Sequence, residues 1–199
     1  TTGYYDAIAL SMKHQLWNVS INNIKKFQQL YPNNKYNRDV TKKLSVANLK
    51  SNQGIKAAQE FEKITGFESN KEIKIAALWQ AAELYESKND INAAIRSYEK
   101  YTVKYKKPFP QYMESMRKLT ELYSKTNNKK KTTHWHKAII KADKKTISKY
   151  KTDRTRYITS FASLNLAKNE HLKFTKHPLI IPLKTYLRKK KSPMKTEDK

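Results

Sequence analysis

Apolar and small residues recur along the chain at three- and four-residue spacings, interrupted by short polar stretches. Leu78, Ala82 and Tyr85 share one helical face, the polar stretch 87–90 follows, and Ala94 and Tyr98 lie on the next face. This pattern predicts a helix, a short turn and a second helix. Over the whole chain it predicts nine helices, at 4–16 with 19–31, 37–51 with 54–65, 70–87 with 91–106, 110–125 with 130–147, and about 154–174.

The second helix of each pair carries similar residues at a constant step of 37 positions. Three series keep this step: Ile24, Phe61, Tyr98 and Trp135; Phe27, Ile64, Tyr101 and Ala138; and the small residues Ser20, Ala57 and Ala94. The fourth copy slips by one residue, because Thr132 stands where the next small residue is expected. A fixed period predicts an all-α, right-handed solenoid of about four and a half repeats over residues 1–177. We expect the tyrosines at 85, 98, 101 and 123 to lie in its core.

The best copy of the unit resembles the tetratricopeptide repeat (TPR). That family has a bulky, a small and an aromatic position on the first helix, matched here by Leu78, Ala82 and Tyr85. Its second helix carries Ala-x-x-x-aromatic, matched by Ala94 and Tyr98. The unit is about three residues longer than the usual 34. The resemblance implies a binding scaffold rather than an enzyme.

A narrower resemblance covers roughly residues 70–195. The tract SYEKYTVKYKKPFPQYMESMRKLTELY is followed by HWHKAIIKADKK, DRTRYITSFASLNLA, a Pro-Leu segment and LRKKKSPMK. Together they resemble long bacterial periplasmic repeat proteins described as components of TonB-type energy-transducing systems, related to gliding-motility proteins. The resemblance implies an exported, periplasmic scaffold whose partner belongs to an envelope energy-transduction complex. The high lysine content departs from that family's pattern.

The last segment, residues 178–199, differs from the repeats. Two prolines flank Leu-Ile-Ile, and Leu183, Tyr186 and Leu187 then share one face of a basic helix. We expect this helix to continue into a longer protein; a disordered basic tail is the alternative. Because the chain does not begin with Met, we also expect a further part upstream.

The net charge of +25 arises from 36 Lys and 6 Arg against 17 acidic residues. Arg is preferred for base-edge readout and for bidentate phosphate contacts, so this excess of Lys disfavours sequence-specific nucleic-acid recognition. Lysines on solvated helix faces and a polyanion-binding surface both remain open. The candidate basic patch comprises Lys129, Lys130, Lys131, Lys144, Lys145, Arg188, Lys189, Lys190 and Lys191.

Residues for catalysis, for cofactors and for metals are not found in recognisable arrangements. The chain has no Cys, and its three Gly cannot form a phosphate-binding loop. His134 and His136 are two residues apart on a helix and point in nearly opposite directions, so we expect surface histidines flanking a core Trp135. No catalytic residue, cofactor or metal is predicted. No apolar stretch reaches the length of a membrane span.

These observations predict a non-enzymatic scaffold that receives a partner peptide or helix in a concave groove formed by the first helices. Candidate groove residues, chosen from helix-face geometry, are Trp79, Glu83, Glu86, Met113, Arg117 and Lys118. The alternative is sequence-nonspecific binding of nucleic acid or another polyanion by the lysine-rich surface.

Overall fold

The computed structural model describes residues 2–176 and Leu187. Residues 2–176 form nine α-helices and one three-residue 3₁₀ turn at Ser148–Tyr150. The helices are α1 (Thr2–Lys13), α2 (Trp17–Leu30), α3 (Asn37–Lys50), α4 (Gly54–Phe67), α5 (Lys71–Ser87), α6 (Ile91–Lys104), α7 (Phe109–Lys125), α8 (Lys129–Lys145) and α9 (Asp153–Thr175).

The predicted all-α class is confirmed, and every predicted helix is present with its ends within three residues of the predicted ones. Polar side chains define several of the starts. Asp90 caps α6 by accepting from the Ala93 N–H, and Asn128 caps α8 by accepting from the Lys131 N–H. The cap of α9 is Thr152, whose side chain and that of Thr155 form a reciprocal capping box.

The turns inside the four helix pairs share one backbone conformation. Each contains a residue with a positive φ angle, namely Gln15 (58°), Asn52 (62°), Asn89 (60°) and Asn127 (56°). These residues are 37, 37 and 38 positions apart, so the turn repeats with the same period as the side-chain pattern. Asn tolerates this left-handed conformation better than most residues do, because its short polar side chain can bond locally.

Each helix packs mainly against the next helix in sequence, and α9 packs on α7 as well as on α8. The buried side chains therefore form several clusters along the stack. One joins α1, α2 and α3 around Ile24 and Phe27, another joins α4 to α7 around Tyr98, and a third joins α7, α8 and α9 around Met116. The predicted core positions Tyr85, Tyr98, Tyr101 and Tyr123 are all buried, which confirms that part of the prediction.

Two buried tyrosines also make equivalent hydrogen bonds between neighbouring helix pairs. The Tyr85 hydroxyl, on α5, donates to Glu62 Oε2 on α4 (3.1 Å), and the Tyr123 hydroxyl, on α7, donates to Glu99 Oε1 on α6 (2.8 Å). Glu62 and Glu99 are themselves 37 residues apart. A carboxylate on the second helix of one pair thus accepts a hydrogen bond from a tyrosine on the first helix of the next pair. We call this contact the Tyr–Glu pair.

The prediction of a separate segment over residues 178–199 lies outside the described part of the chain, except for Leu187. The same applies to Arg188, Lys189, Lys190 and Lys191 of the candidate basic patch.

Candidate functional site

Two of the candidate residues, Glu86 and Lys118, lie where α5, α6 and α7 meet. Glu86, at the end of α5, accepts a hydrogen bond from the Tyr98 hydroxyl (3.0 Å) and another from Lys118 Nζ (3.0 Å). Burial, reinforced by the charge of Glu86, raises the pKa of Tyr98 well above its usual range. The phenol therefore stays protonated and donates. Glu86 and Lys118 are partners of each other, so they join neighbouring pairs and offer little free charge to a ligand.

Arg117 belongs to a second polar group, which connects α7 with α9. Its guanidinium contacts Glu114 (2.7 Å) and Glu121 on its own helix. Arg154, near the start of α9, reaches Glu114 as well (2.9 Å). Burial opposes ionisation of Glu114, but the hydrogen bonds from Arg154 and Arg117 outweigh it and lower the pKa of this carboxyl. Arg117 is accordingly engaged in ion pairs within the protein.

The other three candidates differ in accessibility. Glu83 is exposed on α5, and no hydrogen bond or ion pair reaches its carboxylate within residues 2–176. Trp79 is half-buried, with its ring edge-on to Tyr98 and Tyr101 at centroid distances of 5.5 and 5.3 Å. The prediction that Met113 lines a groove is wrong: this residue is 0% exposed and packs in the cluster of α7, α8 and α9.

The candidate basic patch is not one surface in the described residues. Lys129, Lys130 and Lys131 begin α8 and Lys144 and Lys145 end it, so a helix rising 1.5 Å per residue separates them by roughly 20 Å. Lys131 is also engaged locally, 3.7 Å from a Glu99 carboxylate oxygen and over the Tyr123 ring.

Lys144 and Lys145 instead form a basic notch with two lysines that the sequence analysis did not select. Lys141 lies one turn earlier on α8 and Lys137 lies two turns earlier. Ile140 and Leu166 complete this notch, a shallow cavity of about 470 Å³. None of the four lysines forms an ion pair within residues 2–176. Their one-turn spacing along α8 was the signal that could have identified Lys137 and Lys141.

A larger cavity, of about 890 Å³, lies between the α7–α8 turn and the second half of α9. His136 is among its lining residues. The expectation that this histidine lies at the surface is wrong, because it is only 5% exposed and its buried Nδ1 atom has no hydrogen-bond partner among the described residues. Burial lowers the pKa of His136 below its usual value, so the imidazole is neutral at pH 7. His134, by contrast, is exposed as expected.

Glu62 and Glu99 were also missed by the sequence analysis. Both are half-buried interface residues, and their 37-residue separation follows the repeat. A search of the repeat register for charged as well as apolar residues could have found them. His136 occupies the same position of the repeat, 37 residues after Glu99.

In the part of the chain that the structure describes, no three His, Asp or Glu side chains converge in a way that could hold a metal ion. None of its helices combines the length and the apolar character required to span a bilayer.

The described residues thus form successive helix pairs that are joined by partly buried polar contacts, with two lysine-flanked cavities near α8 and α9. Neither a protein-family model nor a curated protein matches the chain.

Proposed function

We propose that the chain is a non-enzymatic scaffold of the TPR type that binds a partner peptide or helix on the layer formed by its first helices. The observation that carries this proposal is the direct contact between first helices of adjacent pairs. The Tyr5 hydroxyl on α1 donates to Asp39 on α3 (2.8 Å), Glu86 on α5 pairs with Lys118 on α7, and Glu114 on α7 pairs with Arg154 on α9.

Side-by-side first helices are what a solenoid groove requires. In stacked helical repeats each unit contacts its neighbours, and one helix of every unit contributes to an extended binding face. The 37-residue recurrence of the turns at Gln15, Asn52, Asn89 and Asn127 supports a regular stack of this kind. A right-handed solenoid with a concave groove is the arrangement that we propose.

The mechanism is passive. Glu83 and the half-buried Trp79 provide contacts for a partner on α5, while the ion pairs Glu86–Lys118 and Glu114–Arg154 hold neighbouring first helices together. The net charge of +25 speeds the approach of an acidic partner through long-range attraction.

The partner that we propose is a protein of the bacterial envelope, in an energy-transduction complex of the TonB type, and the location that we propose is the periplasm. Both rest on the resemblance of residues 70–195 to periplasmic repeat proteins. A photo-crosslinking amino acid placed at Glu83 in the full-length protein tests them.

This experiment should capture one defined envelope protein from the position of Glu83. The same amino acid at Arg96, which is exposed on the second helix α6, is the matched control and should not capture it. Capture of only ribosomes or nucleic acid from both positions would contradict the scaffold.

The second candidate function is sequence-nonspecific binding of nucleic acid or another polyanion. It is favoured by the basic notch, where Lys137, Lys141, Lys144 and Lys145 have no ion pair within residues 2–176. Counterion release requires that such binding weaken steeply with salt. A gel-shift titration from low to physiological salt tests it, and the absence of a shift at low salt would exclude it.

A further inference from the structure

One position of the repeat, on the second helix of each pair, indicates which chemical group binds there. Lys25, Glu62, Glu99 and His136 occupy this position at steps of 37 residues. At the two central copies the position is filled, because Tyr85 donates to Glu62 and Tyr123 donates to Glu99. At both central copies, a half-buried acceptor on a second helix therefore receives a tyrosine hydroxyl from the helix that follows.

At His136 the acceptor is present but no tyrosine of the described chain is bonded to it. Phe161 on α9 lies beside His136, with its ring centroid 6.5 Å from that of the imidazole. Phe161 has no hydroxyl group and is 43% exposed. No hydrogen bond reaches either ring nitrogen of His136 within residues 2–176. A buried polar group without a partner is costly, so a donor that enters here gains more than it would at an exposed acceptor.

The cavity of about 890 Å³ opens beside this imidazole and is large enough for a side chain with its flanking backbone. Phe161 and Leu172 provide apolar surface on α9. Hydroxyl and amide groups of Thr133, Asn165 and Asn169 line the cavity as well and can bond a peptide backbone.

The charges around the cavity favour an acidic ligand. Its two carboxylates are already paired, Glu121 with Arg117 and Glu170 with Lys173 (2.8 Å). Lys125, Lys129 and Lys176 also line the cavity, and none of them forms an ion pair among the described residues. The unbalanced charge of the cavity is therefore positive.

We infer that this cavity binds a peptide segment of a protein partner that places one tyrosine, flanked by acidic residues, against His136. The inference rests on the proposed binding function but assigns a second site, away from Glu83 and Trp79. The tyrosine ring lies beside Phe161 and its hydroxyl donates to the neutral imidazole, as Tyr123 donates to Glu99. The flanking carboxylates face Lys125, Lys129 and Lys176.

Fluorescence anisotropy with the full chain tests the recognition of tyrosine. The probe is a fluorescein-labelled nine-residue peptide with a central tyrosine between glutamates, and two matched peptides replace the tyrosine by phenylalanine or the glutamates by lysines. The tyrosine peptide should bind about five- to tenfold more tightly than the phenylalanine peptide, because one hydrogen bond to a buried acceptor is lost. The peptide with lysines should not bind.

The variant His136→Phe keeps an aromatic ring in the buried position but removes the acceptor. It should reduce the affinity ratio of the tyrosine and phenylalanine peptides to about one. Because the readout is a ratio between two ligands of the same variant, a moderate loss of stability does not alter it. If His136→Phe does not fold, His136→Gln retains an acceptor and should preserve a preference for tyrosine.

A charge-matched pair of variants separates this site from general attraction. Lys125→Ser with Lys129→Ser removes two cations from the cavity and should weaken binding of the tyrosine peptide about tenfold. Lys137→Ser with Lys141→Ser removes two cations from the basic notch and should weaken it less than twofold. Equal losses in both double variants, equal binding of the tyrosine and phenylalanine peptides, or full displacement by an acidic oligosaccharide would each overturn the inference. Capture of a partner through Glu83 without peptide binding would overturn it while leaving the proposed function intact.

Discussion

At the scale of single residues, Glu68 illustrates how one carboxylate connects several elements. It accepts from the backbone N–H groups of Ser69 (2.8 Å) and Asn70 (3.0 Å) before α5, and its other oxygen is 2.5 Å from Lys42 Nζ on α3. The hydrogen bond from Lys42 and those from the backbone lower the pKa of Glu68 to about 2. The charged form is thus the one that the folded state favours.

We predict that Glu68→Gln lowers stability at pH 7 and that the deficit shrinks in acid. The lowered pKa means that the unfolded chain binds the proton more readily, so the contribution of Glu68 is complete above pH 4.5 and is lost as the pH falls towards 2. Thermal midpoints of both proteins between pH 7 and pH 3 measure this. Glu83→Gln, at an exposed carboxylate, is the control and should follow the wild-type protein; a deficit for Glu68→Gln that does not change with pH would contradict the assignment.

A second residue-scale prediction concerns the Tyr–Glu pair. Burial and the hydrogen bond to Glu99 raise the pKa of Tyr123 to about 12, so the hydroxyl is a donor throughout the neutral range. Tyr123→Phe should lower the free energy of unfolding by about 1 kcal/mol, because the pair is lost while the ring still packs. Urea denaturation measures the change. Tyr157→Phe, at an exposed tyrosine of α9, is the matched control and should change stability by less than about 0.5 kcal/mol.

Residue-level predictions from sequence succeeded for the four core tyrosines and failed for Met113 and His136. Met113 was assigned to a groove because of its place on α7, but α9 covers that face, and a contact with a helix 40 residues away is not visible in local spacing. His136 was assigned to the surface because it flanks the core position Trp135, although the repeat register places it with Glu62 and Glu99 at an interface. The position in the repeat was a better guide than the neighbouring residue.

At the scale of elements, the helices were predictable because their signals are local. A spacing of three or four residues and a cap such as Asp90 act within one or two turns of the chain. The end of α1 was the least accurate, three residues beyond the observed Lys13, because no Asn or Gly marks the turn there. Gln15 takes the left-handed position that Asn occupies in the other three pairs.

We therefore predict that Gln15→Gly stabilises the protein. A residue with a Cβ atom in the left-handed region costs about 1–2 kcal/mol, and Gly avoids this cost while adding some entropy to the unfolded chain. The expected net gain is roughly 0.5–1 kcal/mol in the free energy of unfolding, measured by urea denaturation. Gln59→Gly is the matched control on the exposed face of α4, where it should lower stability by about 1 kcal/mol. A loss of stability in Gln15→Gly would contradict the role of the turn.

Packing between elements leads to a further prediction. Ala94 is 0% exposed, where α6 lies against the neighbouring helices of the cluster around Tyr98. Ala94→Leu should lower stability by roughly 1–3 kcal/mol, because added methylenes have no space in a close-packed core. Ala76→Leu, on an exposed part of α5, adds the same volume without crowding and is the control. Equal unfolding free energies for the two variants would contradict the close approach of these helices.

At the scale of the whole molecule, the surplus of positive charge acts on the folded state itself. Most lysines within residues 2–176 form no ion pair there, and in the whole sequence 42 basic residues meet 17 acidic ones. Repulsion among like charges destabilises a compact state, and salt reduces it because the screening length falls from about 30 Å at 0.01 M to about 8 Å at 0.15 M.

The prediction is that the thermal midpoint rises when the salt concentration increases from about 0.01 to about 0.15 M. Lys137→Glu with Lys141→Glu, which changes the charge of the basic notch, should reduce the size of this rise. Differential scanning fluorimetry with both proteins measures the effect. A midpoint that falls with salt would indicate that attractive ion pairs dominate over repulsion.

The packing of each helix on its neighbour in sequence also determines how the chain folds. Contacts between elements that are close along the chain require only short loops to close, so the entropy cost of forming them is small. We therefore expect folding rates nearer those of helical bundles than those of β-sandwiches. We expect a helix pair that has formed to offer its open face to the next pair in sequence, so that structure spreads from pair to pair along the chain.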